Sequence, residues 1–276
     1  MLERTLKRPL EPIRLTPEVD FMLLRLVALL APLGAALTIA FSSFTAHAIL
    51  MEMGETMRSQ GNIQIPAGHE LGLLGLILVG LGVVATTLTS RPNHRGKTAP
   101  TIVGIIALLV AASLIGYGTW QLKSTLYDVA TSPSLDADQF VRNTVSAKTP
   151  LLIGWWMMFF GCFLAFTMRV VGGGNVPVRQ PAQRSNGAVT FALLALIAFA
   201  SSSLWSFSSL NIVRAGLSET QIHPATLAGG LNGLMLSTYL AVFGIVCCAW
   251  AATLDLLVIA STEQTDDQVA AETLRQ

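Results

Sequence analysis

The sequence predicts an all-α polytopic membrane protein, with six transmembrane helices arranged as three consecutive hairpins and both termini cytoplasmic. Three observations carry this. Hydrophobic residues make up 52% of the 276 and charged residues only 12%, about half the charge of an ordinary soluble domain. Mean hydropathy is +0.60. The few charges avoid six stretches, each at least the ~20 residues a helix needs to cross the hydrocarbon core. A net charge of +1 leaves no basic field for nucleic acid.

The charge-free stretches are Leu26 to Met51, Leu71 to Ser90, Thr98 to Leu122, Thr149 to Met168, Ser185 to Val213 and Thr220 to Leu254. In lipid, each backbone N–H and C=O must find its partner within the segment, which selects helices over strands. The first twenty residues are polar and mixed in charge, and the apolar stretch after them is too long for a signal-peptide core. It is expected to stay as a permanent anchor. The last stretch exceeds one straight crossing, so it should tilt or continue as helix beyond the bilayer.

Basic residues set the orientation. Arg4, Lys7, Arg8 and Arg14 precede the first span. Arg91, Arg95 and Lys97 lie after the second, and Arg169, Arg179 and Arg184 after the fourth. The alternate connectors hold Arg58, then Lys123, Arg142 and Lys148, then Arg214, diluted by acids. The expected layout is therefore a cytoplasmic segment (1–20), hairpin one (21–91), hairpin two (98–171), hairpin three (185–260) and a cytoplasmic tail (261–276). The cell's inner membrane is the expected location. The outer loop from Lys123 to Lys148 has Leu126, Tyr127, Val129, Phe140 and Val141 among its charges, a pattern for a short amphipathic surface helix. Trp120 and the Trp155-Trp156 pair fit an interfacial aromatic belt.

Hairpins one and three share a pattern. Pro66-Ala67 aligns with Pro224-Ala225, and in the same register Gly72 aligns with Gly230, Gly75 with Gly233 and Leu78 with Leu236. Duplication and chance both produce such matches in apolar sequence. Gly68 and Gly72, and again Gly229, Gly233 and Ser237, stand four residues apart. Small residues at that spacing share a helix face and let backbones approach, inside one subunit or between subunits.

Ionisable groups within spans are default functional candidates because they are costly there. Arg25, Asp255 and Glu70 fall at span ends, and no Asp or Glu falls near a midplane. Hydroxyls take their place. Ser202, Ser206 and Ser209 follow i, i+4, i+7 on one helical face, and Asn232, Ser237 and Thr238 lie in the next span. These six residues are either helix glue, bonding carbonyls and neighbouring helices, or the lining of a hydrated path.

His47, His69 and His223 are expected near the outer face, yet their spacings match no metal-ligand signature. Cys162, Cys247 and Cys248 read as small apolar groups, the adjacent pair being poorly placed for a disulfide. No phosphate loop, HExxH or CxxC occurs. The chain reads as a non-enzyme without metal or cofactor.

The stretch Pro224-Ala-Thr-Leu-Ala-Gly-Gly-Leu-Asn-Gly-Leu-Met-Leu-Ser-Thr238 resembles the start of the last transmembrane helix in the MotA, TolQ and ExbB proton-channel family. The resemblance covers that last hairpin only, and the inner connectors leave no room for the family's large cytoplasmic domain. It implies a ring-forming homo-oligomer around a single-span partner, whose intramembrane Asp carries the proton past Thr238 and Ser237. Two other readings stand beside a proton-channel or energy-transducing subunit. One is a membrane scaffold or assembly subunit of a larger complex; the other is a small-solute transporter.

Overall fold

The computed structural model describes residues 22–40, 71–89, 98–131, 137–171, 185–218 and 224–273. These are helical almost throughout, with no strand among them. Helix α1 is Met22–Ala40, α2 is Leu71–Thr89, α3 is Thr98–Thr131, α5 is Asn186–Ser218 and α6 is Pro224–Thr273. Helix α4 begins as Ala137–Cys162, passes through a π-helical stretch, Phe163–Thr167, and ends as Met168–Val171. Five helices are long and apolar enough to cross a membrane. Helix α2, expected as the second of six spans, is shorter. Its apolar stretch Leu73–Thr89 rises about 25 Å against a core of about 30 Å, the low end of the spanning range. The described residues are thus all helical or flank a helix, and by its apolar helices the chain is a multi-pass membrane protein.

Two expectations change in the third and fourth helices. Pro150, which the charge map places at the start of a span, lies inside α4. Residues 123–131 continue α3 and residues 137–148 belong to α4, so no separate surface helix forms from them. Hydropathy marks where lipid ends, whereas a helix stops only where its backbone bonding stops. The same distinction applies to α6. Its apolar part is Asn232–Val258, but the helix runs 50 residues, about 75 Å at 1.5 Å per residue. The helix therefore runs past its apolar part to Thr273.

The pairs α1/α2, α3/α4 and α5/α6 each pack antiparallel. A Cβ built on Gly75 would meet Thr38 and Ile39 of α1, and one on Gly82 would meet Ala31 and Pro32. On α4, Gly161 faces Leu108 and Gly154 faces Ile115 of α3. Helix α6 brings Gly233 to Ser209 and Gly244 to Phe199 of α5. Helix α5 also packs on α2, and α3 on α6, while the π stretch touches α2 and α3. Five helices, in the order α2, α5, α6, α3, α4, therefore close a ring, and α1 lies against α2.

Small residues fill many buried positions, beside Phe166, Phe199, Leu108, Ile115, Met158 and Ile245, and many large apolar residues face outward. Ala35, Ala111, Ala165, Ala192, Ala195, Ala241, Ala251 and Ala252 are fully buried, whereas Leu33, Leu37, Ile197 and Leu204 are at least 60% exposed. Lipid tails are as apolar as Leu, so helices gain nothing by hiding Leu from them. They gain dispersion contacts by bringing backbones close through Ala, Gly and Ser. At Gly104 a Cβ would stand 2.6 Å from the Ala165 backbone nitrogen, and at Gly80 3.0 Å from the Leu196 Cα. Trp155 and Trp156, expected in a belt, are half-buried against the core, while Trp120 is 60% exposed beside Tyr117.

Candidate functional site: the hydroxyl seam between α5 and α6

Serine in a transmembrane helix has a polar tip and little bulk, so two facing serines allow both close approach and a bond across the gap. The serine run of α5 spreads over two faces because successive residues step 100° around the axis. Ser202, Ser206 and Ser209 are all buried and point at α6. The i, i+4, i+7 spacing had already grouped them.

Ser237 of α6 is the node. Its hydroxyl donates to the Leu234 carbonyl at 2.7 Å. With that one proton committed, the 2.6 Å contact between the Ser206 and Ser237 hydroxyls has Ser206 as donor. Ser202 donates to the Ser237 backbone carbonyl at 2.7 Å. The chain thus runs from Ser206 through Ser237 to a carbonyl, and a second branch runs from Ser202 to a carbonyl. One turn further out, the Ser209 hydroxyl lies directly against Gly233, with Trp205 Nε1 3.3 Å from a Cβ built there. A methyl group at Gly233 would displace Ser209.

The other sequence candidates fall elsewhere. Thr238 is half-buried and donates to the Leu234 carbonyl at 2.9 Å, within its own helix. Asn232 is exposed and does not face the seam. Gly229 is exposed, and a Cβ there would meet nothing within 4 Å. Gly72 sits in α2, where its surroundings are not described. Gly68, His47, His69 and His223 lie outside the described residues. Among the described residues no three His, Cys, Asp or Glu side chains are grouped to hold a metal ion.

Ser203 was not singled out. It is buried and donates to the Leu73 carbonyl of α2 at 2.8 Å. Lying one residue from Ser202, it points about 100° away, toward a different neighbour. Cys162, Cys247 and Cys248 are free and buried in the shared core.

Comparison with protein-family models, curated proteins and solved structures finds no match to this chain. The functional reading therefore rests on the residues and their geometry.

Proposed function

We propose that this chain is a membrane-embedded scaffold or assembly subunit, with both termini on the cytoplasmic side of the inner membrane and its helices inserted as hairpins. The observation that carries this reading is the termination of the seam. A proton relay needs each acceptor to pass its proton on. The chain Ser206, Ser237, Leu234 ends on a backbone carbonyl, which accepts a hydrogen bond but does not hand a proton forward. The Ser202 branch ends the same way. Both branches do what helix glue does, tying α5 to α6 at about 0.6 kcal/mol per bond.

A second reading, the proton-channel-like subunit acting with a single-span partner, draws on α6 alone. Its 50-residue length suits a helix that crosses the membrane and continues beyond it. Asn232, Tyr239 and Phe243 are exposed along it, and Thr238 beside them is half-buried, so a partner helix carrying an Asp has a face to approach. Native mass spectrometry of protein extracted from its own membrane separates the two readings. A scaffold comes out in a fixed ratio with other integral proteins; a channel subunit comes out as a symmetric homo-oligomer around single-span chains. A bare monomer under conditions that keep other complexes intact overturns both.

A further inference from the structure

Helices α1, α2 and α4 leave a narrow crevice between them, lined by Pro32 of α1, Gly82 of α2, and Phe159, Phe163 and Thr167 of α4. It follows α4 from Phe159 to Thr167, about 12 Å of helix. Ala28, Ala85 and Val170 of the same three helices pack together at one end. Pro32 lies one turn along from Ala28, and Thr167 lies just before Val170, so Thr167 stands at this closed end. A Cβ on Gly82 would reach Ala31 and Pro32 at ordinary contact distance, so the missing side chain keeps the crevice open. Apart from Thr167 and the Cys162 thiol, the walls are apolar. Pro32, Phe159 and Phe163 are only half-buried, which opens the crevice to the surrounding lipid.

The hydroxyl at the closed end differs from those of neighbouring helices. Buried Thr86, Thr87 and Thr119 each donate to the carbonyl four residues back, at 2.6, 2.8 and 2.7 Å. For Thr167 that carbonyl belongs to Phe163, and the π-helical stretch turns it to the Met168 N–H, five residues on. Thr167 is 4% exposed, and its hydroxyl has no hydrogen-bond partner among the described residues. A buried hydroxyl left in that state is costly, and π turns recur at functional sites.

The missing partner is an acceptor that arrives from the lipid. A buried water is held by about three polar groups, and the crevice offers one hydroxyl and one weakly bonding thiol. Thr167 ends the apolar span Ser146–Thr167, so it stands at the edge of the hydrocarbon, where a phospholipid carries its acyl ester carbonyls. From such a carbonyl an unbranched methylene chain runs into the membrane, and a long apolar crevice matches its shape and its chemistry.

We propose that this crevice binds one acyl chain of a membrane phospholipid, with the ester carbonyl of that chain accepting a hydrogen bond from the Thr167 hydroxyl. The bound chain packs α1, the helix outside the ring, onto α2 and α4. A scaffold and a channel subunit could each hold such a lipid, so the site stands apart from the choice between them.

The test uses the intact chain in lipid nanodiscs doped with a phosphatidylcholine that carries a photoactivatable diazirine midway along one acyl chain, with cross-links mapped by mass spectrometry. Label is expected on Pro32, Phe159 and Phe163 at a yield several-fold above that on Leu33 and Leu37, which are exposed on α1. A dialkyl ether analogue of the probe, which lacks the carbonyl, should label the crevice about three- to fivefold less. Thr167→Val should cause the same fall with the ester probe and none with the ether probe, and Thr167→Ser should restore most of the yield. Gly82→Leu should block crevice labelling. Label on Leu33 and Leu37 should stay constant throughout. The comparison of ester with ether probe uses the unmutated chain and decides the matter if a variant fails to fold. Crevice labelling no higher than at Leu33 and Leu37, equal labelling by the two probes, or a crevice shielded from both by a segment of the chain itself would each overturn the proposal.

Discussion

The Ser206 and Ser237 hydroxyls share a 2.6 Å hydrogen bond across the buried seam of α5 and α6. Neither residue is charged and neither reaches the surface of the bundle. Their bond matters because the alternative partner in this part of the membrane is hydrocarbon, where an unpaired hydroxyl loses its hydrogen bond outright. The seam therefore fixes the register of α5 on α6, and the tight contact of Gly233 with Ser209 reinforces it one turn away.

Removing either hydroxyl should destabilise the fold modestly and not independently. Ser206→Ala and Ser237→Ala are each expected to cost about 1 kcal/mol, with a coupling near 0.6 kcal/mol. Unfolding of the two single variants and the double variant in mixed micelles measures this directly. Additive losses would mean that the two side chains do not share a bond.

Two glycines of the same helix should respond in opposite ways. Gly104→Ala puts a methyl group 2.6 Å from the α4 backbone, which does not yield cheaply, so a loss of about 1–3 kcal/mol is expected. Gly116→Ala meets nothing within 4 Å and should be neutral or stabilise by about 0.5–1 kcal/mol through helix propensity. Melting temperatures of the two purified variants check both signs at once.

The proposed topology, six spans with both termini cytoplasmic, predicts which sites a membrane-impermeant reagent reaches. In a background with Cys162, Cys247 and Cys248 replaced by Ala, Asn93→Cys should be labelled only from the cytoplasmic side. Ser134→Cys should be labelled only from the opposite side. Labelling of both positions from one side would mean that α3 does not cross the membrane.

The membrane character of the chain was legible because charge is excluded from lipid, and its absence from six stretches leaves a direct trace in sequence. Which apolar residues would be buried was not, because Ala and Leu are both apolar and only the partner surface distinguishes their places. Among the polar candidates, spacing alone grouped Ser202, Ser206 and Ser209, since a helical face is a periodic property. It could not say that Asn232 would be exposed or that Ser203 would turn to α2, because those depend on which helices become neighbours. The hidden helical lengths of α3 and α4 have a similar cause. Polar residues from Lys123 onward signal the bilayer edge, and nothing in them stops a helix, not even Pro150.

Gly75 and Gly233, which align in the two outer hairpins, each press against a hydroxyl of the preceding helix, Thr38 and Ser209 respectively. That shared role makes a mutational statement. Gly75→Val and Gly233→Val should both weaken the contact of a helix with the one before it, each by about 1–3 kcal/mol. Cross-linking yields between introduced cysteine pairs on α1/α2 and on α5/α6 would report the two losses separately. Unchanged yield in either pair would break the equivalence.

The scaffold reading depends most on the seam being structural. The direct measurement compares the wild-type chain with the Ser202→Ala, Ser206→Ala, Ser237→Ala triple variant for melting temperature and for proton flux in its native membrane. Loss of about 2 kcal/mol, a fall of roughly 4–8 °C, with flux unchanged is the expected result. An unchanged melting temperature together with abolished flux would contradict it and place the conducting path in the seam.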